Sequence, residues 1–114
     1  MNSLINQLRL YRINPDLRDV FLTRFRDHAA WIMRDRYQFK IVAMWLSDEQ
    51  DNLRFVYILS WPNLEAKEDA WKRFMADEEW TEIKRRTRES TGEPVQGIED
   101  ILLNAVEFSA PLGV

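Results

Sequence analysis

Phe39-Lys40-Ile41-Val42-Ala43-Met44-Trp45-Leu46-Ser47 and Phe55-Val56-Tyr57-Ile58-Leu59-Ser60-Trp61 decide the fold of this chain. Both runs are rich in apolar and aromatic residues and neither carries a helical stripe. Between them lies the polar turn Ser47-Asp48-Glu49-Gln50-Asp51-Asn52, so the two are predicted to pair as an antiparallel hairpin, the second and third strands. Strict alternation puts Phe39, Ile41, Ala43 and Trp45 on one side of the second strand and Val42, Met44 and Leu46 on the other. In the third strand Phe55, Tyr57, Leu59 and Trp61 oppose Val56 and Ile58. Both faces of the hairpin are apolar.

Outward from the hairpin, residues 4–13 alternate with Leu8 and Leu10 on one face and Arg9 and Tyr11 on the other, which reads as a first strand. Asn14-Pro15-Asp16 ends it, and Asp16 is placed to cap a helix whose stripe is Leu17, Val20, Phe21, Phe25, His28 and Ile32, running to about Asp35. After Trp61-Pro62, Asn63 can cap a second helix bearing Leu64, Trp71, Phe74 and Met75. Asp77 opens a third helical piece, Glu78 to about Ser90, ended by Thr91-Gly92-Glu93-Pro94. A fourth strand spans roughly Ile98 to Val106. The order βαββαβ predicts one α+β ferredoxin-like domain over residues 1–114, with a four-stranded antiparallel sheet.

Helices can cover only one face of that sheet, so the second apolar face needs another partner. The same face of a second copy, related by a twofold axis, would close a barrel across a homodimer. The alternative is a monomer whose third helical piece folds over the open face, but that piece has only Trp80 and Ile83 as large apolar residues.

Composition narrows the partners. The 114 residues contain no cysteine, which removes disulfides and thiolate chemistry and suggests a reducing, cytoplasmic setting. No signal-peptide pattern or membrane-length apolar run is present, so no membrane partner is expected. Net charge is −3 with the two signs interspersed, which argues against nucleic acid. The basic cluster Lys84, Arg85, Arg86 and Arg88 follows Glu78, Glu79 and Glu82 in one helix, acid first and base last, as the helix dipole favours. One histidine and no cysteine cannot supply a zinc site without carboxylates as nearly all of its ligands, and no phosphate-binding loop, dinucleotide fingerprint or nucleophile elbow occurs.

In their order along the chain, several segments resemble the NIPSNAP family of dimeric α/β-barrel proteins: Leu8-Arg9-Leu10-Tyr11, Asn14-Pro15, Phe21, Phe25 and His28, Trp45, Asp77-Glu78-Glu79-Trp80, Leu102-Leu103 and Phe108-Ser109. The chain departs from the usual pattern at Asp16 and Ala43, where glycine is common, and at Lys67, where arginine is. The resemblance implies a homodimeric ferredoxin-like barrel, in a wider superfamily that includes small monooxygenases and haem-handling proteins. It transfers no agreed activity.

Among residues that could carry chemistry, His28 lies on the apolar stripe of the first helix. It is either a core histidine with a satisfied hydrogen bond or, if it looks into a cavity, a general base or haem ligand. Arg9 and Tyr11 are expected on the barrel-facing side of the first strand, opposite Leu8 and Leu10. A buried guanidinium must pair, so Arg9 either binds Asp100 or Glu99 or awaits an anionic ligand. Trp45 and Tyr57 are candidate flat walls, and Trp61 an edge. The expected function is therefore a homodimer binding a small, largely apolar, possibly anionic molecule in a cavity between sheet and helices, with Arg9, Tyr11, Trp45 and Tyr57 as ligand residues. A cofactor-independent oxygenase or isomerase with His28 as acid/base, and a non-catalytic dimerisation module, are the alternatives. No cofactor is expected, haem included, because a lone histidine is weak evidence for one.

Overall fold

The chain leaves its first strand at Asn14-Pro15, where proline removes an amide donor and the Asn14 side chain accepts a hydrogen bond from the Asp16 N–H at 3.1 Å. In the computed structural model, which describes residues 4–110, that strand is β1, Ile5–Ile13. A short 3₁₀ turn, Pro15–Leu17, leads into helix α1, Arg18–Arg24. The cap is thus Asn14 and not Asp16, because the 3₁₀ turn begins at Pro15, two residues earlier than a helix capped by Asp16 would. The helical path then continues through two π-helical turns, Phe25–Ala29 and Ile32–Arg36.

Strands β2 (Lys40–Ser47) and β3 (Arg54–Trp61) form the expected hairpin around the exposed turn Glu49–Asp51. Helix α2 (Leu64–Met75) is capped by Asn63, whose side chain accepts from the Ala66 N–H at 2.8 Å. Helix α3 (Glu78–Ser90) is capped by Asp77, which accepts from the Trp80 N–H at 2.8 Å. Gly92, at φ +103°, turns the chain from α3 towards β4, Val95–Asn104. β4 begins and ends earlier than its apolar run implies, because its bounds are set by pairing with β1. The fold is α+β and ferredoxin-like: one antiparallel sheet in the order β2-β3-β1-β4, with the helices on one face.

Register fixes which side chains share a face. Arg9 lies between Tyr57 of β3 and Asp100 of β4, and Tyr11 between Phe55 and Ile98. This face meets the helices: Tyr11 meets Phe21 of α1 edge-on at 6.0 Å, and Tyr57 meets Phe25 at 5.4 Å. The opposite face carries Leu8 and Leu10 with Val56, Ile58, Ile101 and Leu103. The expected phase of β1 is therefore reversed. Alternation reports two faces without saying which lies under the helices, and here the bulky aromatics fill the helix layer while the smaller aliphatics face outward.

In β2 the pairing register slips between Ile41 and Ala43, a bulge at Val42. It sends Ile41 to the helix face with Leu59, and Ala43 and Trp45 to the open face with Ile58 and Val56. The unbroken alternation read across β2 fails at that one residue. Helix α3 packs on the helix side, with Trp80 stacked on Phe74 of α2 at 5.6 Å. It does not fold over the open face. Among the described residues no helix is long and apolar enough to cross a membrane.

Candidate ligand-binding cavity

Between the sheet and the helices lies a cavity of about 270 Å³. Its walls are mostly aromatic: Tyr11 from β1, Phe21 and Phe25 from the first helical stretch, Trp71 and Phe74 from α2, and Trp80 from α3. Set into them are Arg9, Arg24, Lys84 and Arg88, with Glu93 the only carboxylate in the lining.

Arg9 is held at the sheet side. Its Nη1 donates to Asp100 Oδ2 at 2.9 Å, its Nη2 donates to the Tyr11 hydroxyl at 3.0 Å, and its guanidinium lies over the Trp71 ring at 4.3 Å. Of the two acidic partners expected for Arg9, Asp100 is the one present; Glu99 pairs with Leu10, on the other face. The Asp100 carboxylate is held in turn by Gln7, whose Nε2 donates to both its oxygens at 3.0 Å. Gln7 Oε1 accepts from the indole N–H groups of Trp61 at 2.9 Å and Trp71 at 2.8 Å. This fully buried amide has both its donor and acceptor sides committed. Below Tyr11, its hydroxyl and that of Tyr57 are 2.6 Å apart, and Tyr57 is completely buried. Burial pushes the Tyr57 hydroxyl well above its ordinary pKa, so it stays protonated.

Arg24 stands at the helix side and is only 7% exposed. Its Nη2 lies 3.6 Å from Glu93 Oε2, and its guanidinium lies 5.4 Å from the centre of the Trp80 ring. Among the described residues, buried Arg24 Nη1 and Arg9 Nε have no hydrogen-bond partner. Burial lowers the pKa of Arg24, and Glu93 only partly opposes it. Lys84 is lowered too, first by burial and then by the like charges of Arg24 and Arg88. Glu93 is shared: it also approaches Arg88 at 4.0 Å and accepts from the Val95 N–H at 2.9 Å. Glu93 therefore faces three cations, Arg24, Lys84 and Arg88, of which Arg24 alone is buried.

Of the candidate site residues, the structure brings Arg9, Tyr11 and Tyr57 together, under the helices and not on the open sheet face where Arg9 and Tyr11 were expected. Trp45 is 50% exposed on that open face and does not reach them. His28 sits in a π turn and lines a separate groove between α1 and α3, with Thr23, Ile83 and Thr87. The expectation that Arg9 and His28 share one cavity is not met; Arg24 lies between the two spaces and lines both. Among the described residues no group of three or more histidines and carboxylates is arranged to hold a metal. Sequence reading missed Arg24, Lys84, Trp71, Trp80 and Gln7. Arg24 did carry a signal, a lone cation three residues after Phe21 and four before His28, on the helix's apolar stripe.

Comparison with known proteins fits this architecture. The fold is shared with an uncharacterized NIPSNAP-like domain protein from Burkholderia xenovorans, at TM-score 0.80 and 19% identity, covering 99% of this chain and 94% of that one. It is shared with a NIPSNAP family protein of unknown function from Agrobacterium tumefaciens at TM-score 0.81 and 20% identity, covering 98% and 96%. A more distant similarity, TM-score 0.59 and 12% identity over 96% and 94%, is to a monooxygenase of Streptomyces coelicolor solved in complex with nanaomycin D. No curated protein matches the chain. The NIPSNAP profile matches residues 6–110, nearly the whole sequence, and the chain belongs to the NIPSNAP family.

Proposed function

We propose that this protein binds a small, flat, largely apolar anion between its sheet and its helices, as a homodimer joined through the open sheet faces. The observation that carries the binding reading is Arg24: a 93%-buried cation with one nitrogen unpaired, in an aromatic cavity whose single carboxylate is shared among neighbours. A buried donor left without a partner costs roughly 1–3 kcal/mol, and an anionic ligand that accepts from it removes that cost. The aromatic rings supply the apolar remainder of the ligand with flat contact surfaces. The dimer reading is supported by Leu8, Leu10, Val56, Ile58, Ile101 and Leu103 sharing a face that no helix among the described residues covers.

Titration with naphthoate, followed by tryptophan fluorescence, tests the binding reading. Trp71 and Trp80 line the cavity, so occupancy should change their emission. Arg24→Met keeps the length and removes the charge, and should weaken naphthoate by about tenfold to a hundredfold, the range for a hydrogen bond to a charged group. Naphthalene methanol, neutral and similar in shape, should be insensitive to the change. Naphthoate binding that ignores Arg24→Met, or no binding at all, refutes the reading.

A second reading, a cofactor-independent oxygenase or isomerase, draws support from the fold shared with the Streptomyces coelicolor monooxygenase. Its acid/base would then be sought among the cavity's own groups, because His28 lines a different groove.

A further inference from the structure

Hydrogen-bond accounting at the two tyrosines says where the cavity's free proton lies. Tyr11 and Tyr57 share a contact of 2.6 Å in which either oxygen could be the donor. The fully buried Tyr57 hydroxyl has no other acceptor among the described residues, and the neighbouring Arg9 guanidinium can only donate. If Tyr11 donated to Tyr57, the Tyr57 proton would be buried without a partner, a loss comparable to a broken hydrogen bond. Tyr11 lines the cavity and Tyr57 does not, so the favoured arrangement has Tyr57 donating to Tyr11, which leaves the unpartnered proton on the hydroxyl that faces the cavity. The Tyr11 oxygen then accepts twice, from Tyr57 and from Arg9 Nη2 at 3.0 Å, and its own proton has no acceptor among the described residues.

We propose that Tyr11 offers this proton to an acceptor oxygen of the ligand, so that the cavity takes an aromatic carboxylic acid carrying a second, carbonyl-type oxygen. The carboxylate lies towards Arg24 on the helix side and the carbonyl towards Tyr11 on the sheet side. Tyr57 and Arg9 both donate to the Tyr11 oxygen and polarise its O–H bond, which strengthens it as a donor. Arg9 is itself fixed by Asp100 and by stacking on Trp71, so the donor is positioned before any ligand arrives. This inference deepens the anion-binding reading and rests on it, but it concerns the opposite end of the ligand.

Two probes separate the two ends: naphthoate bearing an acetyl group on its far ring, and the same acid bearing isopropyl there. The wild-type protein should prefer the acetyl acid by about tenfold, the value of one well-formed hydrogen bond. Tyr11→Phe should abolish that preference, so that the two acids bind the variant equally. Tyr57→Phe should keep the preference, since Tyr11 still has its proton. The infrared carbonyl stretch of the bound acetyl group should move to lower frequency in wild type, a readout that holds even if Tyr11→Phe fails to fold. If both acids bind equally and both weaken with Arg24→Met, the anion reading stands and the Tyr11 assignment is overturned. A preference that first appears in Tyr57→Phe means that Tyr11 donates to Tyr57, and overturns it too. If neither acid binds, both inferences fall.

Discussion

Replacing Gln7 with leucine tests the structural support of the cavity. In Gln7→Leu the indole N–H groups of Trp61 and Trp71 lose their common acceptor, and Asp100 loses the amide that holds both its oxygens. Trp61 is 4% exposed, so its N–H is left buried and unsatisfied at a cost of about 1–3 kcal/mol. Trp71 is only partly buried and can recover a water, so its share is smaller, about 1 kcal/mol. The better apolar fit of leucine offsets little, because the lost partners lie around it. The net expectation is a loss of about 2–4 kcal/mol, or roughly 8–16 °C in Tm for a chain of this size. Urea melts followed by tryptophan emission measure it. In a Trp71→Phe background, where one of the two indole donors is already gone, Gln7→Leu should cost about 1 kcal/mol less. Equal costs in the two backgrounds, or a single variant within about 0.5 kcal/mol of wild type, would refute the shared-acceptor reasoning.

Three further outcomes are expected. Light scattering at micromolar concentration should give twice the chain mass, and Ile58→Asp, on the open sheet face, should give a folded monomer by burying a carboxylate against the partner; a wild-type monomer would sink the dimer. Asp77→Ala should lose about 2–4 kcal/mol, because one carboxylate caps Trp80 N–H and accepts from Arg36 at 2.7 Å and the Tyr37 hydroxyl at 2.6 Å. Burial opposes the Asp77 charge, but these donors outweigh it and hold its pKa below the ordinary 3.8. Its stabilisation is therefore complete above 3.8 and is lost as pH falls through the lower folded value, and the Ala variant should lack this acid limb in melts at varied pH. Naphthoate affinity should fall as pH rises through the depressed pKa of Lys84, below its ordinary 10.5, because the ligand favours the charged amine; Lys84→Met should flatten that slope.

Where the sequence was legible, local chemistry decided the outcome. Asn63 and Asp77 are short polar residues placed just before apolar-periodic runs, and they cap α2 and α3 as read. The hairpin was marked by its polar turn. What stayed hidden depended on contacts remote in sequence. The phase of β1 follows from which face meets Phe21 and Phe25, and no pattern within residues 5–13 records that. The bulge at Val42 leaves no trace in an unbroken apolar run, yet it decides that Trp45 faces away from the cavity. Arg9 was found because a cation in an apolar strand requires a partner, Tyr11 because alternation puts it on the same face, and Tyr57 as an aromatic wall. Gln7, Trp71 and Arg24 were missed because their importance lies in bonds or close contacts spanning 54 to 93 residues and in a cavity assembled from elements far apart in the chain.

The two π turns in the first helical stretch bear on how relatives should be aligned. A π turn closes its hydrogen bond over one residue more than an α turn, so removing a single residue converts it to an α turn. Each of Phe25–Ala29 and Ile32–Arg36 is therefore a natural place for a one-residue gap. A relative lacking the first turn would keep Phe21 in place yet carry the equivalents of Ile32 and Met33, both buried, one position earlier. Alignments that forbid gaps inside helices will mismatch every column between that turn and β2, and will make the histidine groove look more variable than the helix that carries it.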